Sequence, residues 1–251
     1  MAEIIILGSS SATPFPRIEK GRWRDYLDIE NYQKKFKLHD DPHCNAAKKI
    51  GKDRRTRSAI VLRTKSGDIL FDAGPDIFSQ IKKNKIKPKI AFISHAHLDA
   101  SYNAKNLKQL GVKIYSEQEK NLKPGRAIEF FDTKILPFRV KHEKNTKTLG
   151  FQIFVNKKII SIATDFGSLA HLKKYFQKSD VVFVDGSLIG KSFSGHLKIE
   201  KQLATYKKWK IKKVIITHVG HNTGTHKNLC KFAKRIYRRT EAAYDGMKIK
   251  I

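Results

Sequence analysis

Six side chains in this sequence have the type, order and spacing to hold a divalent metal ion: His95, His97, Asp99, His142, Asp165 and His218. His95 and His97 stand two residues apart, directly after the apolar run Ile90–Ile93, where a chain leaving a strand can aim both imidazoles at one point. Imidazole suits zinc, iron and related divalent ions, while carboxylates accept those or harder ions. A lone His-x-His is weak as a signal, and His142 alone, placed after a strand, is ordinary. A His-x-His-x-Asp segment on a strand end, followed in order by His142, Asp165 and His218, is hard to obtain by chance. The chemistry of such a group is metal-ion chemistry.

Positioning these residues requires strands that end at one edge. Short apolar, β-rich runs recur at Ile4–Leu7, Ala59–Arg63, Ile69–Phe71, Ile90–Ser94, Lys113–Tyr115, Ile135–Val140, Phe151–Val155, Ile159–Thr164, Val181–Asp185 and Val214–Thr217. Helical patterns fall between several of them, at Pro75–Lys83, Asn103–Gln109, Ser168–Tyr175, Ile199–Trp209 and Lys227–Arg238. Four strands deliver ionisable residues at their carboxyl ends: Asp72, the His95 segment, Asp165 and His218. Functional groups of α/β layers gather at that edge. Strands in series with interleaved helices, and a second strand group from about Lys134, predict an α/β fold of two mixed sheets flanked by helices, an αββα sandwich. No repeat, low-complexity tract or Pro/Gly-rich linker divides the chain, so residues 1–251 read as one domain. The stretch Glu19–Asp53 is polar, basic and aromatic (Trp23, Tyr26, Tyr32, Phe36) and reads as an insertion lying over that domain.

Composition narrows the setting. The 251 residues are 40% hydrophobic, enough for a substantial core, and no apolar run approaches the roughly 20 residues of a membrane span. Glu3–Leu7 is too short for a secretory signal and reads as a first strand. With only Cys44 and Cys230 there is no disulfide framework, so a reducing, cytoplasmic setting is the expectation. Lys plus Arg number 52 against 23 Asp plus Glu, a net charge of +29. Heat-adapted surfaces enrich Glu along with Lys, and here acids are scarce. Such an excess attracts polyanions, RNA, DNA or a phosphorylated nucleotide above all, and basic stretches at Lys48–Arg57, Lys82–Lys89, Lys207–Lys213 and Lys231–Arg239 are expected to flank the site. No membrane partner is indicated; a homodimer is left open.

The ordered series resembles the metallo-β-lactamase superfamily, within it the branch holding tRNase Z and the phosphoribosyl cyclic phosphodiesterases. The likeness runs nearly end to end: Leu7-Gly8-Ser9-Ser10-Ser11-Ala12-Thr13-Pro14, Arg57-Ser58-Ala59-Ile60, Phe71-Asp72-Ala73-Gly74-Pro75, the His-x-His-x-Asp segment, Thr164-Asp165, Gly195-His196-Leu197, Thr217-His218-Val219-Gly220-His221 and Tyr244-Asp245-Gly246-Met247. The resemblance implies a metal-dependent phosphodiesterase acting through a metal-bound hydroxide on a nucleotide or nucleic-acid ester, or on a small cyclic phosphate. It implies one or two Zn2+ ions, with Mn2+ or Fe as alternatives. His95, His97 and His142 would hold the first ion, Asp165 would bridge, and Asp99 with His218 would hold the second. Asp72 would orient the histidine loop. Asp99 and His196 would serve catalysis, His196 at the phosphoryl or leaving oxygen. No long arm is inserted in the second half, so tRNA 3′ processing is not specifically indicated.

Two departures stand out. Ala100 occupies the position of the motif's last histidine, which leaves three outcomes open for the second ion: weak binding, exchange for a harder ion, or absence. A nucleic-acid-binding protein with a decayed site is the corresponding alternative. Near Cys44, relatives carry a cysteine cluster holding a structural zinc; here His39, His43, Cys44 and the late His221 remain, either as a surviving site or as a lone buried cysteine.

Overall fold

The structure, a computed structural model, describes residues 2–130, 132–193 and 195–251. In chain order the first half comprises β1 (Glu3–Gly8), α1 (Tyr32–Lys35), α2 (Pro42–Lys48), β2 (Ala59–Arg63), β3 (Asp68–Phe71), α3 (Ile77–Asn84), β4 (Pro88–Phe92), α4 (Leu98–Ser101), α5 (Ala104–Gln109) and β5 (Lys113–Tyr115). The second half comprises β6 (Ile128–Phe130), β7 (Thr133–Val140), β8 (Thr148–Val155), β9 (Lys158–Ala163), α6 (Lys173–Phe176), β10 (Val181–Asp185), α7 (Ile199–Lys208), β11 (Val214–Thr217), α8 (His226–Ile236), β12 (Thr240–Ala242) and β13 (Lys248–Lys250).

These strands form two sheets, ordered β13-β1-β2-β3-β4-β5 and β12-β11-β10-β9-β8-β7-β6. The pairs β3/β4 and β4/β5 are parallel, as are β9/β10, β10/β11 and β11/β12, so their carboxyl ends point to one rim. The expected αββα sandwich is what the chain adopts. Alternation along each strand sorts the layers. Ile4 and Ile6 join Phe71, Phe92, Phe151, Phe183 and Ile215 in the core between the sheets. Ile5 and Leu7 instead join Ala91, Ile77 and Leu107 under the helices of the first sheet. In the second sheet Val182, Val184, Val214 and Ile216 pack under Leu203, Tyr206, Leu229 and Ala233 of α7 and α8. Both faces of the central strands are covered, which is why those strands read as continuous apolar runs. Each fully buried Ile or Phe contributes on the order of 1.5–3 kcal/mol relative to exposure.

Some expected boundaries shift, for local reasons. The helix expected over Pro75–Lys83 begins at Ile77, because Pro75 and Asp76 form the entry turn, and it ends with Lys85 left-handed at φ 52°. The helix expected over Ser168–Tyr175 is only Lys173–Phe176: His171 sits at φ 67°, which no α-helix accommodates. The strands β6, β12 and β13, three residues each, were not expected. Residues 19–53 carry α1 and α2, and their Tyr26 and Tyr32 form a small core with Ile18. Among the described residues no helix is long and apolar enough to cross a membrane.

Candidate metal centre

The rim where the parallel strands end collects the histidines and aspartates. β4 delivers His95 and, two residues on, His97, which starts α4; Asp99 and Ala100 lie on that helix. His142 follows β7, Asp165 follows β9, and His218 directly follows β11. Asp72, after β3, has φ 65° and His218 has φ 52°. Left-handed backbone at non-glycine residues is uncommon and clusters at functional sites.

Ligand atoms of three groups lie within 4.8 Å of one another: His95, His97 and His142; Asp99, Asp165 and His218; and His142, Asp165 and His196. The structure therefore brings all six expected residues together, with His142 and Asp165 each in two groups. Their hydrogen bonds aim them. His95 Nδ1 lies 2.8 Å from Ser94 Oγ, and its buried Nε2 has no hydrogen-bond partner. His142 Nδ1 donates to Gly195 O at 2.8 Å, so its Nε2 carries a lone pair, 3.4 Å from His97 Nδ1. His218 Nε2 lies 3.2 Å from Asp165 Oδ1 and 4.0 Å from Asp99 Oδ2. A buried imidazole nitrogen without a partner is costly on its own, and lone pairs converging on one point fit a divalent ion. Two glycines make room. At Gly195, φ 83°, a Cβ would lie 2.7 Å from His142 Nδ1, and at Gly74 it would lie 2.1 Å from Asp99 O.

The electrostatics follow from burial. Desolvation pushes His95 down to about 4, so this ring is neutral near neutral pH, as a ligand must be. For Asp165 burial opposes ionisation, but His218, His95, His196 and His142 outweigh it and hold its carboxyl well below the usual carboxylate range. Asp72 accepts from Ser94 N at 2.8 Å, so it reaches the histidine loop through the backbone of the residue before His95. Its burial, with Asp165 and Asp99 adding to it, raises it to about 7 against the Ser94 hydrogen bonds.

His196, expected on motif grounds, lies at the same rim, its ring 4.9 Å from that of His142 and 5.7 Å from that of His218. Its Nδ1 is 2.7 Å from Asp185 Oδ2 and 3.2 Å from Ser187 Oγ, and Asp185 is fully buried. Burial alone would lower His196, but the Asp185 hydrogen bond and charge, then Asp165 and Asp99, raise it to about 9. Asp185 was missed in the sequence, although it ends an apolar strand as Asp165 and His218 do. Ala100 is 4% exposed, and its carbonyl accepts from Ala73 N at 2.6 Å.

A second cluster lies near α2. Asp41, Cys44 and His221 offer ligand atoms within 4.8 Å, with Cys44 Sγ 4.0 Å from His221 Nδ1 and His221 Nε2 3.2 Å from Asp41 Oδ2. Asp41 was not expected there. His43 turns its Nδ1 to His221 O at 3.2 Å and stacks on Phe15, and the His39 ring centre is 5.4 Å from that of His221. Burial raises the Cys44 thiol to about 11.

The basic stretches lie elsewhere than expected. Arg55 and Arg57 are buried and structural: Arg57 pairs with Asp76, and Arg55 binds Ser9 Oγ and Ala243 O. Lys82–Lys89, Lys207–Lys213 and Lys231–Arg239 do not flank the rim, because α3, α7 and α8 run away from it. Of the aromatics in residues 19–53, Tyr26 is buried with its hydroxyl on Ile18, and Trp23 packs edge-on against Tyr102.

A family model described as the β-lactamase superfamily domain matches residues 68–219. No curated protein matches the chain. Among solved structures the chain is similar to a new diphosphatase from the PhnP family, at 18% identity and TM-score 0.74, over 100% of this chain and 98% of that one. It is also similar to Zn2+-bound PqqB from Methylobacterium extorquens, at 16% identity and TM-score 0.78, over 99% and 100%. The short form of human tRNase Z matches at 16% identity and TM-score 0.62, over 99% of each chain.

Proposed function

The chain belongs to the β-lactamase superfamily domain family, and from that premise we propose that it is a metal-dependent phosphodiesterase whose ester belongs to a nucleotide or a nucleic acid. The observation that carries this reading is the three ligand groups at one rim with the Asp185–His196 pair beside them. Human tRNase Z and the PhnP-family diphosphatase, as structures of like fold, support a phosphate ester as the substrate class. We read residues 1–251 as one domain, with 19–53 lying over it.

In this reading His95, His97 and His142 would hold one ion and Asp99, Asp165 and His218 a second. When bound, the ion (zinc, with manganese or iron as alternatives) supplies positive charge and an acidified water. The remaining work belongs to the chain. Ser94 and Asp72 fix the His95 ring, and Gly195 O fixes the tautomer of His142. Asp185 holds the Nδ1 proton of His196, which leaves Nε2 to donate to the phosphoryl or leaving oxygen. The test is hydrolysis of bis(p-nitrophenyl) phosphate by protein of measured metal content. Stoichiometric metal without hydrolysis removes the phosphodiesterase.

Asp185→Asn should lower hydrolysis by about 10- to 100-fold, the usual effect of losing the partner that orients such a histidine. A general acid works below its pKa, so the alkaline limb of the rate profile should also move to lower pH. An unchanged profile would show that His196 is not the acid.

Ala100 supports a second reading, a nucleic-acid-binding protein with a decayed centre. Ala100→His is expected to raise occupancy of the Asp99–Asp165–His218 group and the hydrolysis rate together, measured by metal analysis alongside kinetics. A filled group with an unchanged rate would mean that the missing imidazole is not what limits activity.

A further inference from the structure

The two most basic stretches of the second half meet at the end of the fold that faces away from the metal centre. α7 begins three residues after His196 and ends at Lys208, about 15 Å along its axis. β11 then returns over about 13 Å to His218. α8 also leaves the rim, and it ends just before β12, whose Thr240 pairs with Val214 at the start of β11. The carboxyl ends of α7 and α8 therefore lie side by side, tied where the Tyr237 hydroxyl donates to Ile211 O. There Lys207, Lys231, Lys234, Arg235, Arg238 and Arg239 line a groove of about 760 Å³.

All six side chains are exposed, and among the described residues no carboxylate pairs with any of them. Their neighbours differ: Lys212 pairs with Asp180 and Lys213 with Glu241. The helix dipole favours cations in a last turn, which accounts for Lys207, Lys234 and Arg235 but not for Lys231, Arg238 and Arg239. Lys231, Lys234 and Arg235 share one face of α8 at spacings of three and four residues. That face extends about 6 Å, the axial span of about two phosphates of one strand. A lipid surface fits less well. The groove is concave, and none of the large exposed apolar side chains lines it to anchor in a bilayer.

We propose that this groove binds the phosphodiester backbone of a nucleic acid at a site separate from the metal centre. The proposal rests on the phosphodiester reading for its class of ligand, and not on any metal being bound. A strand seated in the groove reaches the rim only if it spans the length of α7, which selects a polynucleotide over a mononucleotide.

The test is fluorescence anisotropy of a labelled 20-nucleotide oligouridylate with the full chain, titrated at several salt concentrations. Lys231→Glu with Lys234→Glu and Arg238→Glu should weaken binding at least about tenfold at low salt. The log–log salt slope should shrink by about 2, at about 0.7 for each phosphate of a single strand that is no longer neutralised. The same three positions changed to Gln should give a smaller loss in the same direction, and circular dichroism checks that both variants fold. Lys65→Glu, Lys82→Glu and Lys87→Glu alter the net charge equally at exposed sites elsewhere and should change binding less than about threefold. Equal losses from both Glu triples, wild-type binding by the groove variant, or binding of phosphatidylserine vesicles without the oligonucleotide would each overturn the groove. Hydrolysis of bis(p-nitrophenyl) phosphate, measured alongside, reports on the metal centre alone, so the two readings fail separately.

Discussion

Protein carrying His95→Ala together with His97→Ala is expected to lose its tightly held metal, from about one ion per chain to a small fraction of that. Hydrolysis should fall with it by on the order of 10³-fold, since about 4 kcal/mol of charge stabilisation at a phosphoryl group corresponds to that factor. Two of the three imidazoles in one ligand group are removed, including His95, whose buried Nε2 has no other partner. The fold should survive, because truncating His95 also removes a polar atom that is unsatisfied without metal. The stabilisation that added metal gives the wild type, about 2.7 kcal/mol at a hundred times Kd, should vanish in the variant. Metal analysis, thermal melts with and without zinc, and circular dichroism separate these effects. A double variant that keeps wild-type metal content would mean that the ligands lie elsewhere.

Asp76→Ala should be the most damaging single change to stability, by about 3–5 kcal/mol. Arg57 Nη1 and Asp76 Oδ1 are 2.7 Å apart, both side chains 1% exposed. Asp76 also accepts from Arg57 N at 2.7 Å, and Arg57 Nε donates to Ala12 O at 2.9 Å. Burial raises the Asp76 carboxyl above the usual carboxylate range, and Arg57 offsets only part of that rise. Removing the carboxylate strands a guanidinium in the interior, and total stabilities run only about 5–15 kcal/mol. The urea midpoint measures the loss. Replacing both partners, Arg57→Met with Asp76→Leu, should recover most of it, since the penalty comes from the unpaired charge. A loss under about 1 kcal/mol from Asp76→Ala would show that water reaches the guanidinium.

The parts of this molecule that could be read from the sequence are those where periodicity and chemistry coincide. The runs around Ile4, Ile60, Ile90, Val182 and Ile215 are apolar on both faces because helices and the facing sheet cover both faces, and they were legible as strands. His95, His97, Asp99, His142, Asp165 and His218 were legible as a series, and the chain brings them to one rim. Asp185 was not, because its role depends on a contact with His196 eleven residues away and on full burial, neither of which a strand-end position reveals. Asp41 escaped for a similar reason: its Oδ1 caps α2, an ordinary task, and only the fold brings His221 to its other oxygen. β12 and β13 mix Thr, Glu and Lys with single apolar residues and exist through their neighbours. The basic groove was legible as charge but not in its place, which depends on the directions that α7 and α8 take.

β1 holds a further consequence, for synthesis. Its sequence, Glu-Ile-Ile-Ile-Leu-Gly, is buried on both faces and paired on both edges, by β2 on one side and β13 on the other. On a ribosome adding about 5–20 residues per second, β2 follows roughly 50 residues later, after about 3–10 s. β13 arrives only some 240 residues after β1, so one edge of this apolar strand stays open for on the order of 12–50 s. Unpaired strands of high β-propensity and low charge are where nascent chains stick to one another. The late partner is Lys-Ile-Lys, and once zipped onto β1 it presents a charged outer border to any further strand. The vulnerable period for this strand thus falls before β13 emerges, and slowed elongation or truncation upstream of Lys248 should send the chain into aggregates rather than into a looser native state.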